Sequence, residues 1–204
     1  MAKNNLFIVF EGLDGAGCET QSNLLANYLK RKFRKVLKLK YPDYNDPYGK
    51  LIQLYLQGKI KLAPETIFMS HLNNQIKDRR LIGEHLRDGY FVVSDRYYLS
   101  NIAYNHGVHA PIGKAVKIAS VFRMPKPDII FYLKTNPETS MKRKLKEKKS
   151  LDFNERNKSI LLRAAETYEK LARKNIWSQW FIIDGGKKIQ DVKKDVLSIL
   201  KNYL

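Results

Sequence analysis

The sequence predicts an α/β fold in which helices flank a doubly wound, five-stranded parallel sheet. Five short apolar runs recur along the chain, and segments with helical spacing separate them, which is the pattern of alternating strands and helices. The first apolar run ends in a glycine-rich loop that leads directly into a helix. The length of 204 residues, 44% of them hydrophobic, suits a single domain over residues 1–204 with a buried core.

The five apolar runs are expected to form strands that are buried on both faces of the sheet. Residues 6–10 are continuously apolar, as is typical of a strand inside a parallel sheet. A helix is expected to follow over residues 21–32, because apolar residues recur three and four positions apart from Leu24 to Leu29. The seven prolines fall between elements and interrupt no helical pattern. The later strands are expected at residues 36–39, 90–93, 129–133 and 180–183.

Composition and charge limit the classes of partner. Lysine and arginine number 38 against 20 acidic residues, so the formal net charge is +18. Such a surplus favours polyanionic partners, although a lysine-rich solvated surface is an equal alternative. Nucleic acid stays open as a partner but is not favoured, because the chain has no RNA-binding or helix-turn-helix signature. No apolar run approaches the ~20 residues of a membrane span, and residues 1–5 do not resemble a signal peptide. We therefore expect a cytoplasmic protein without a membrane partner.

Cysteine and histidine usage gives little support for a structural metal. The single cysteine, Cys18, excludes an internal disulfide and a metal site built from several cysteines. We expect Cys18 to be a small packed residue, with a redox or metal thiol as the alternative. Structural zinc is not expected, because no ligand spacing is found among the histidines His71, His85, His106 and His109.

Residues 12–17, with the sequence Gly-Leu-Asp-Gly-Ala-Gly, form the loop between the first strand and the first helix. Three glycines allow the backbone to curl and to point its N–H groups at an anion on the helix N-terminus. This context predicts a phosphate-binding P-loop. A tight turn without a ligand is the alternative.

The loop departs from the full P-loop pattern, G-x-x-x-x-G-K-[ST], at its last two positions. In that pattern the lysine reaches the terminal phosphates and the hydroxyl binds magnesium, whereas this chain has Cys18 and Glu19 there. The exchange removes one positive charge and adds a negative one, and a unit charge pair at about 4 Å is worth on the order of 4 kcal/mol at an effective dielectric of about 20. Three replacements are open: Glu19 binds magnesium directly, Thr20 supplies a hydroxyl, or the basic residues 142–149 bring cations from across the site.

Several motifs together resemble the thymidylate kinase family. Residues 10–17, Phe-Glu-Gly-Leu-Asp-Gly-Ala-Gly, combine with residues 94–100, Ser-Asp-Arg-Tyr-Tyr-Leu-Ser, and with Ala103-Tyr104. Residues 41–43, 49–52 and 126–128 follow in the family's order and spacing, so the resemblance runs nearly end to end. It implies a P-loop nucleoside monophosphate kinase architecture, magnesium-dependent transfer of the ATP γ-phosphoryl group to dTMP, and a homodimer packed through helices.

The resemblance also implies a binding site for dTMP. Asp14 would accept a hydrogen bond from the deoxyribose 3′-hydroxyl, and Arg96 would hold the acceptor phosphate with its planar, forked guanidinium. Asp95 would orient Arg96 and the magnesium shell, with a helix N-cap as its alternative role. Tyr104 would occupy the space that a ribose 2′-hydroxyl needs. The implied dTMP-binding residues are Asp14, Pro42, His71, Gln75, Arg96, Ser100, Tyr104 and Asn105.

On the ATP side, the resemblance implies a P-loop and a basic lid at about residues 140–156. Arg143 would be the transition-state cation in that lid, with Arg156 just beyond it; a solvated helix end is the alternative for the basic stretch. Glu19, Thr20 and Asp95 would bind Mg²⁺. The implied ATP-binding residues are Gly12, Leu13, Asp14, Gly15, Ala16, Gly17, Cys18, Glu19 and Thr20.

Three further positions differ from the family's pattern. His71 and Gln75 stand where the family carries an aromatic residue and an arginine beneath the thymine, and Asn105 stands where a glutamine is usual. Gln75 offers hydrogen bonds but no cation, so Arg79 or Arg80 is a possible substitute, and both His71 and Gln75 are alternatively surface residues. A catalytically impaired nucleotide-binding protein on the same fold is the alternative function, because of Cys18 and Glu19.

Overall fold

The computed structural model describes residues 5–33, 35–105, 111–147 and 151–204. Strands and helices alternate along these ranges as the sequence pattern predicts. The strands are β1 (Phe7–Gly12), β2 (Val36–Lys40), β3 (Phe91–Asp95), β4 (Ile129–Lys134) and β5 (Gln179–Asp184). The helices are α1 (Cys18–Phe33), α2 (Pro47–Leu56), α3 (Pro64–Ile76), α4 (Arg79–Arg87), α5 (Tyr98–Asn105), α6 (Ile112–Val121), α7 (Pro137–Glu147), α8 (Lys158–Arg173) and α9 (Ile189–Leu200).

The five strands form one parallel sheet in the order β2-β3-β1-β4-β5. Side chains of β1 alternate between its two faces, because successive residues of a strand point in opposite directions. Phe7 and Val9 join a core with α3, α4, α5, α6 and α8, whereas Ile8 and Phe10 join a core with α1 and α9. Helices thus cover both faces of the sheet, which confirms the predicted doubly wound fold.

The prediction that all five strands are buried on both faces is right for β1, β3 and β4 and wrong for β2 and β5. The two outer strands are only partly buried, and Ile182 of β5 is 49% exposed. An outer strand has a neighbour on one side only, so helices of both layers cover it less completely than a central strand. Apolar runs alone do not reveal this difference.

Helix α1 begins at Cys18, three residues before the predicted start, because the loop passes directly into the helix after Gly17. Its buried stripe contains Leu25 and Leu29, as predicted, while Leu24 and Tyr28 are half-exposed. Three prolines occupy the first positions of α2, α3 and α7, where a missing N–H costs nothing. None of the helices in the described ranges has the length and apolar character needed to span a membrane.

Candidate active site

The candidate site lies at the carboxyl edge of the sheet, where ligands bind in open parallel sheets. Each strand ends there in a residue or loop with polar groups. The P-loop follows β1, Lys40 ends β2, Asp95 ends β3, and Gly185-Gly186 follows β5. In the described part of the chain, at least three clefts open among these segments, and each includes one or more residues of the P-loop.

The P-loop conformation requires its glycines. Gly15 and Gly17 have φ values of +81° and +97°, which other residues adopt only with strain. At Gly12 a β-carbon would lie 2.9 Å from the carbonyl oxygen of Leu133 on β4, so a larger residue would push the loop off the sheet. Within the loop, the N–H of Ala16 donates to the carbonyl of Leu13 at 3.0 Å. These constraints leave the loop curled at the N-terminus of α1.

An ion pair between Asp14 and Arg96 connects the P-loop to the residue after β3. One guanidinium nitrogen of Arg96 donates to the Asp14 carboxylate at 2.7 Å, and the other donates to the carbonyl of Gly12 at 2.7 Å. Arg96 has a φ of +63°, an uncommon value for a side chain of this size, and it lies over the ring of Tyr104. The backbone strain and the forked contacts together hold the guanidinium beside the loop.

Behind Arg96 lies a buried network centred on Glu11. Its carboxylate accepts hydrogen bonds from the backbone N–H of Tyr97 and from the hydroxyls of Ser100 and Tyr168. Burial raises the pKa of Glu11 to about 7, against the opposing effects of the Ser100 hydrogen bond and the Arg96 charge. Ser100 also accepts a hydrogen bond from Arg96 at 3.2 Å, so this network positions the guanidinium.

The first cleft extends from Asp14 and Arg96 toward α3 and opens to solvent. All eight residues expected to bind dTMP line it, although they come from five separate segments of the chain. The hydroxyl of Tyr104 donates to the Asp14 carboxylate and accepts from the Asp14 N–H, both at 3.1 Å. Five further residues that line the cleft were not predicted to bind dTMP: Tyr41, Tyr44, Leu56, Asp152 and Asn154.

His71 and Gln75 form one wall of this cleft from helix α3, so the alternative of plain surface residues is wrong. Burial and the nearby positive charge of Arg96 lower the pKa of His71 to about 4, so its imidazole is neutral at pH 7. Gln75 is 2% exposed, and its side-chain oxygen has no hydrogen-bond partner among the described residues. Neither candidate substitute lies here: Arg79 donates to the carbonyl of Phe122, and Arg80 pairs with Glu84 on the exposed face of α4.

A second cleft, here called the phosphate cleft, contains the P-loop residues 13–15 and 17–20 together with Asp95 and Arg96. Lys40 and Lys144 also line it, and neither lysine was individually predicted as a site residue. Lys40 could have been found as a strand end, because it occupies on β2 the position that Asp95 occupies on β3. Cys18 is 4% exposed, and burial raises the pKa of its thiol, as expected for a packed residue.

A third cleft, lined by P-loop residues 15–17 and by residues 185–192, contains Arg143. The guanidinium of Arg143 donates to the carbonyl of Gly185 at 2.8 Å and to those of Gly15 and Gly186 at 3.3 Å. The structure therefore does not bring Arg143 to the cleft of Asp95 and Arg96; its neighbour Lys144 lines that cleft instead. The predicted lid corresponds to the end of α7 and to residues 151–156, and Lys148 and Lys149 lie outside the described residues.

The three residues expected to bind magnesium all line the phosphate cleft. Burial raises the pKa of Asp95, while the charges of Arg96, Lys38 and Lys40 oppose that change. Glu19 is paired with Lys40, and over the described ranges no cluster of three or more His, Cys, Asp or Glu residues suits a metal. Proteins usually hold Mg²⁺ through one or two carboxylates plus substrate phosphates. Asp95 and Thr20 fit such a site, whereas Glu19 fits it only if it releases Lys40.

A central strand that ends in a P-loop, with clefts that share the loop residues, is the arrangement of a P-loop nucleotide-binding protein. A family model described as thymidylate kinase matches residues 10–196. Thymidylate kinase from Thermosipho africanus is 34% identical over 203 residues, which cover 98% of this chain and 99% of that protein. Thymidylate kinase from Plasmodium falciparum is 33% identical over 195 residues, covering 96% of this chain and 89% of that protein. The chain belongs to the thymidylate kinase family, as its motifs predicted.

Solved structures agree on the fold. Thymidylate kinase from Candida albicans gives a TM-score of 0.77 at 23% identity, covering 97% of this chain and 92% of that one. Thymidylate kinase from Ehrlichia chaffeensis gives a TM-score of 0.75 at 21% identity, covering 96% of this chain and 98% of that one. The five-stranded parallel sheet flanked by helices is therefore the architecture of this family.

Proposed function

We propose that this protein transfers the γ-phosphoryl group of ATP to dTMP, with ADP and dTDP as products. The observation that carries the proposal is the Asp14–Arg96 pair, which joins the P-loop to the first cleft and its eight dTMP-type residues. In the reaction, the bond between the γ-phosphorus and the β,γ-bridging oxygen breaks, and an oxygen of the dTMP phosphate forms the new P–O bond. Family membership supports the enzyme over the impaired nucleotide-binding alternative, which rests on Cys18 and Glu19 alone.

Positioning and charge neutralisation are the main tasks of the protein in such a transfer. Arg96 would bind the dTMP phosphate, because it lines both the first cleft and the phosphate cleft and its side chain is 13% exposed. Asp14 would orient the sugar and hold Arg96. A carboxylate has about four acceptor positions, so the bonds to Arg96 and Tyr104 leave capacity for the 3′-hydroxyl.

The base would lie against Pro42, His71 and Gln75. The neutral imidazole of His71 offers a flat apolar face, and the unpartnered oxygen of Gln75 is an acceptor for a base N–H. Ser100 and Asn105 complete the polar lining, with Asn105 anchored to Asn101 at 3.0 Å. The shape of this cleft would accommodate the methyl group of thymine. The ring of Tyr104 would occupy the space that a 2′-hydroxyl on the sugar needs.

On the donor side, the N–H groups of residues 12–20 would bind the ATP phosphates, and residues 185–192 would flank the adenosine. Magnesium would be held by Asp95 and Thr20, and it would neutralise charge on the transferred phosphoryl group. Arg143 would act from the third cleft by holding Gly15, Gly185 and Gly186 together. The lid would be residues 140–156 of a single kinase domain over 1–204.

A coupled assay with ATP, magnesium and dTMP tests the proposal by following dTMP-dependent ADP formation. Arg96→Gln removes the phosphate-binding fork and should abolish most turnover. The matched control is Arg80→Gln, whose side chain is 84% exposed on α4 and which should retain full activity. The proposal fails if the wild-type protein forms no ADP in response to dTMP at micromolar enzyme.

The homodimer and the cytoplasmic location stay predictions from the sequence. Exposed apolar side chains on α2, α3 and at the end of α6 support association through helices: Leu54 is 39% exposed, Met69 40% and Val121 76%. Sedimentation velocity at micromolar protein should show a mass near 48 kDa, twice the 23.8 kDa of one chain. A single 23.8 kDa species would contradict the dimer.

A further inference from the structure

The P-loop of this chain lacks the lysine of the usual pattern and carries a negative charge at the next position. Cys18 takes the place of the lysine that reaches the terminal phosphates in the P-loop pattern, and Glu19 takes the place of the hydroxyl. Cys18 is buried and carries no charge at pH 7, so it provides nothing for a phosphate. A cation for this position has to come from another segment.

Lys40 lies where such a cation is needed. It is the last residue of β2, pairs in register with Asp95 on β3, and lines the phosphate cleft together with Gly15 and Gly17. Its ammonium nitrogen lies 2.7 Å from a carboxylate oxygen of Glu19. Lys38, on the same face of β2, differs: it donates to the carbonyl of Leu39 and does not line the phosphate cleft.

We propose that Lys40 replaces the missing P-loop lysine by contacting the terminal phosphates of the donor nucleotide, and that Glu19 is the positioning residue for its ammonium. The inference deepens the proposed kinase function and rests on it. It also explains the acidic residue at position 19: Glu19 holds the ammonium of Lys40, which replaces the lysine that is missing at position 18.

The geometry of the pair favours a functional role over a stabilising one. The side chains of Lys40 and Glu19 are 51% and 59% exposed, and ion pairs of this exposure contribute little to folding. An ammonium group has three donors, so one bond to Glu19 leaves two for phosphate oxygens. Lys144, the other lysine of the cleft, has carboxylate oxygens of two residues, Glu147 and Glu155, at 2.6 and 4.0 Å, whereas Lys40 pairs with Glu19.

Steady-state kinetics with Lys40→Met tests the role of the cation. We expect kcat/KM for ATP to fall about a hundredfold while KM for dTMP stays within twofold, and Lys40→Arg to stay within tenfold of wild type. Lys30→Met is the control for loss of one charge. It is exposed in the last turn of α1, eleven residues or about 16 Å of helix from Glu19, and should behave as wild type.

Coupling between the two residues tests the positioning role. Glu19→Gln should lower kcat about tenfold in the wild-type background and have no further effect in Lys40→Met. Equal effects of Glu19→Gln in both backgrounds would overturn the positioning role.

Calorimetry with inorganic tripolyphosphate separates this inference from the proposed kinase function. Wild type should bind it at least tenfold more tightly than Lys40→Met, whether or not dTMP turnover is detected. Equal affinity of the two proteins would overturn the inference. Absence of dTMP turnover with a preserved affinity difference would overturn the kinase function alone.

Discussion

The buried carboxyl group of Glu11 makes a quantitative prediction about stability. Glu11 is fully buried on β1, and burial raises its pKa from 4.5 to about 7. Between these two pH values the folded protein binds more protons at Glu11 than the unfolded chain does. The free energy of unfolding therefore falls as pH rises from 4.5 to about 7, and the loss is complete above that range. At about 1.4 kcal/mol per pKa unit, the contribution of Glu11 is about 3 kcal/mol.

Glu11→Gln removes this titration while keeping the size of the side chain and its capacity to hydrogen bond with Ser100 and Tyr168. We expect the difference in unfolding free energy, variant minus wild type, to rise by about 3 kcal/mol from pH 4.5 to pH 8. Urea denaturation followed by circular dichroism at pH 4.5, 5.5, 6.5 and 8 measures it. Groups such as His71 titrate in both proteins and cancel in the difference. Glu84→Gln, at an exposed position of α4, is the control and should not show the rise of about 3 kcal/mol. Parallel profiles for wild type and Glu11→Gln would refute the reasoning.

Three further substitutions have expected outcomes. Arg96→Lys keeps the positive charge but loses the forked guanidinium, so kcat/KM for dTMP should fall about 100-fold, as expected for two charge-assisted hydrogen bonds. An equal fall of kcat/KM for ATP would contradict the assignment of Arg96 to the acceptor phosphate. Tyr104→Phe removes both hydrogen bonds to Asp14 and should raise KM for dTMP about tenfold in steady-state assays. An unchanged KM would show that Tyr104 does not position the Asp14 carboxylate for dTMP. Gly49→Ala would place a methyl group onto a backbone oxygen of the preceding loop, and thermal denaturation should show a loss of about 3 kcal/mol or failure to fold. Gly113→Ala, with open space around the added methyl, is its control and should be neutral or stabilising.

Local patterns predicted those parts of the site that depend on contiguous residues. The apolar run before Gly12 and the glycines after it require a buried strand followed by a phosphate loop, because each constraint acts within a few residues. Asp95 and Arg96 could be placed at the carboxyl edge for the same reason, since they follow directly on an apolar run. The family's motif spacing added the distant lining residues His71 and Gln75, which periodicity alone would have left on a helix surface.

Contacts between distant segments could not be predicted. Arg143 was expected at the transition state because it is the guanidinium of the basic stretch, but the carbonyls that it contacts belong to loops 42 residues away or more. Lys40 follows an apolar run as Asp95 does, but the sequence does not show that β2 pairs with β3, and this pairing brings Lys40 beside Asp95. Side-chain direction in both cases depends on how helices and strands pack.

The sequence by itself determined the α/β fold, the P-loop with its missing lysine and hydroxyl, and membership in the thymidylate kinase family, because these are recorded in the order and spacing of residues. Only the tertiary structure decided that Lys40 pairs with Glu19 of the altered loop, that Arg143 binds carbonyls beside it, and that Glu11 is buried behind Arg96. The physical reason is that charge and hydrogen bonding act through distance in space, and segments far apart in the chain meet at the carboxyl edge of the sheet.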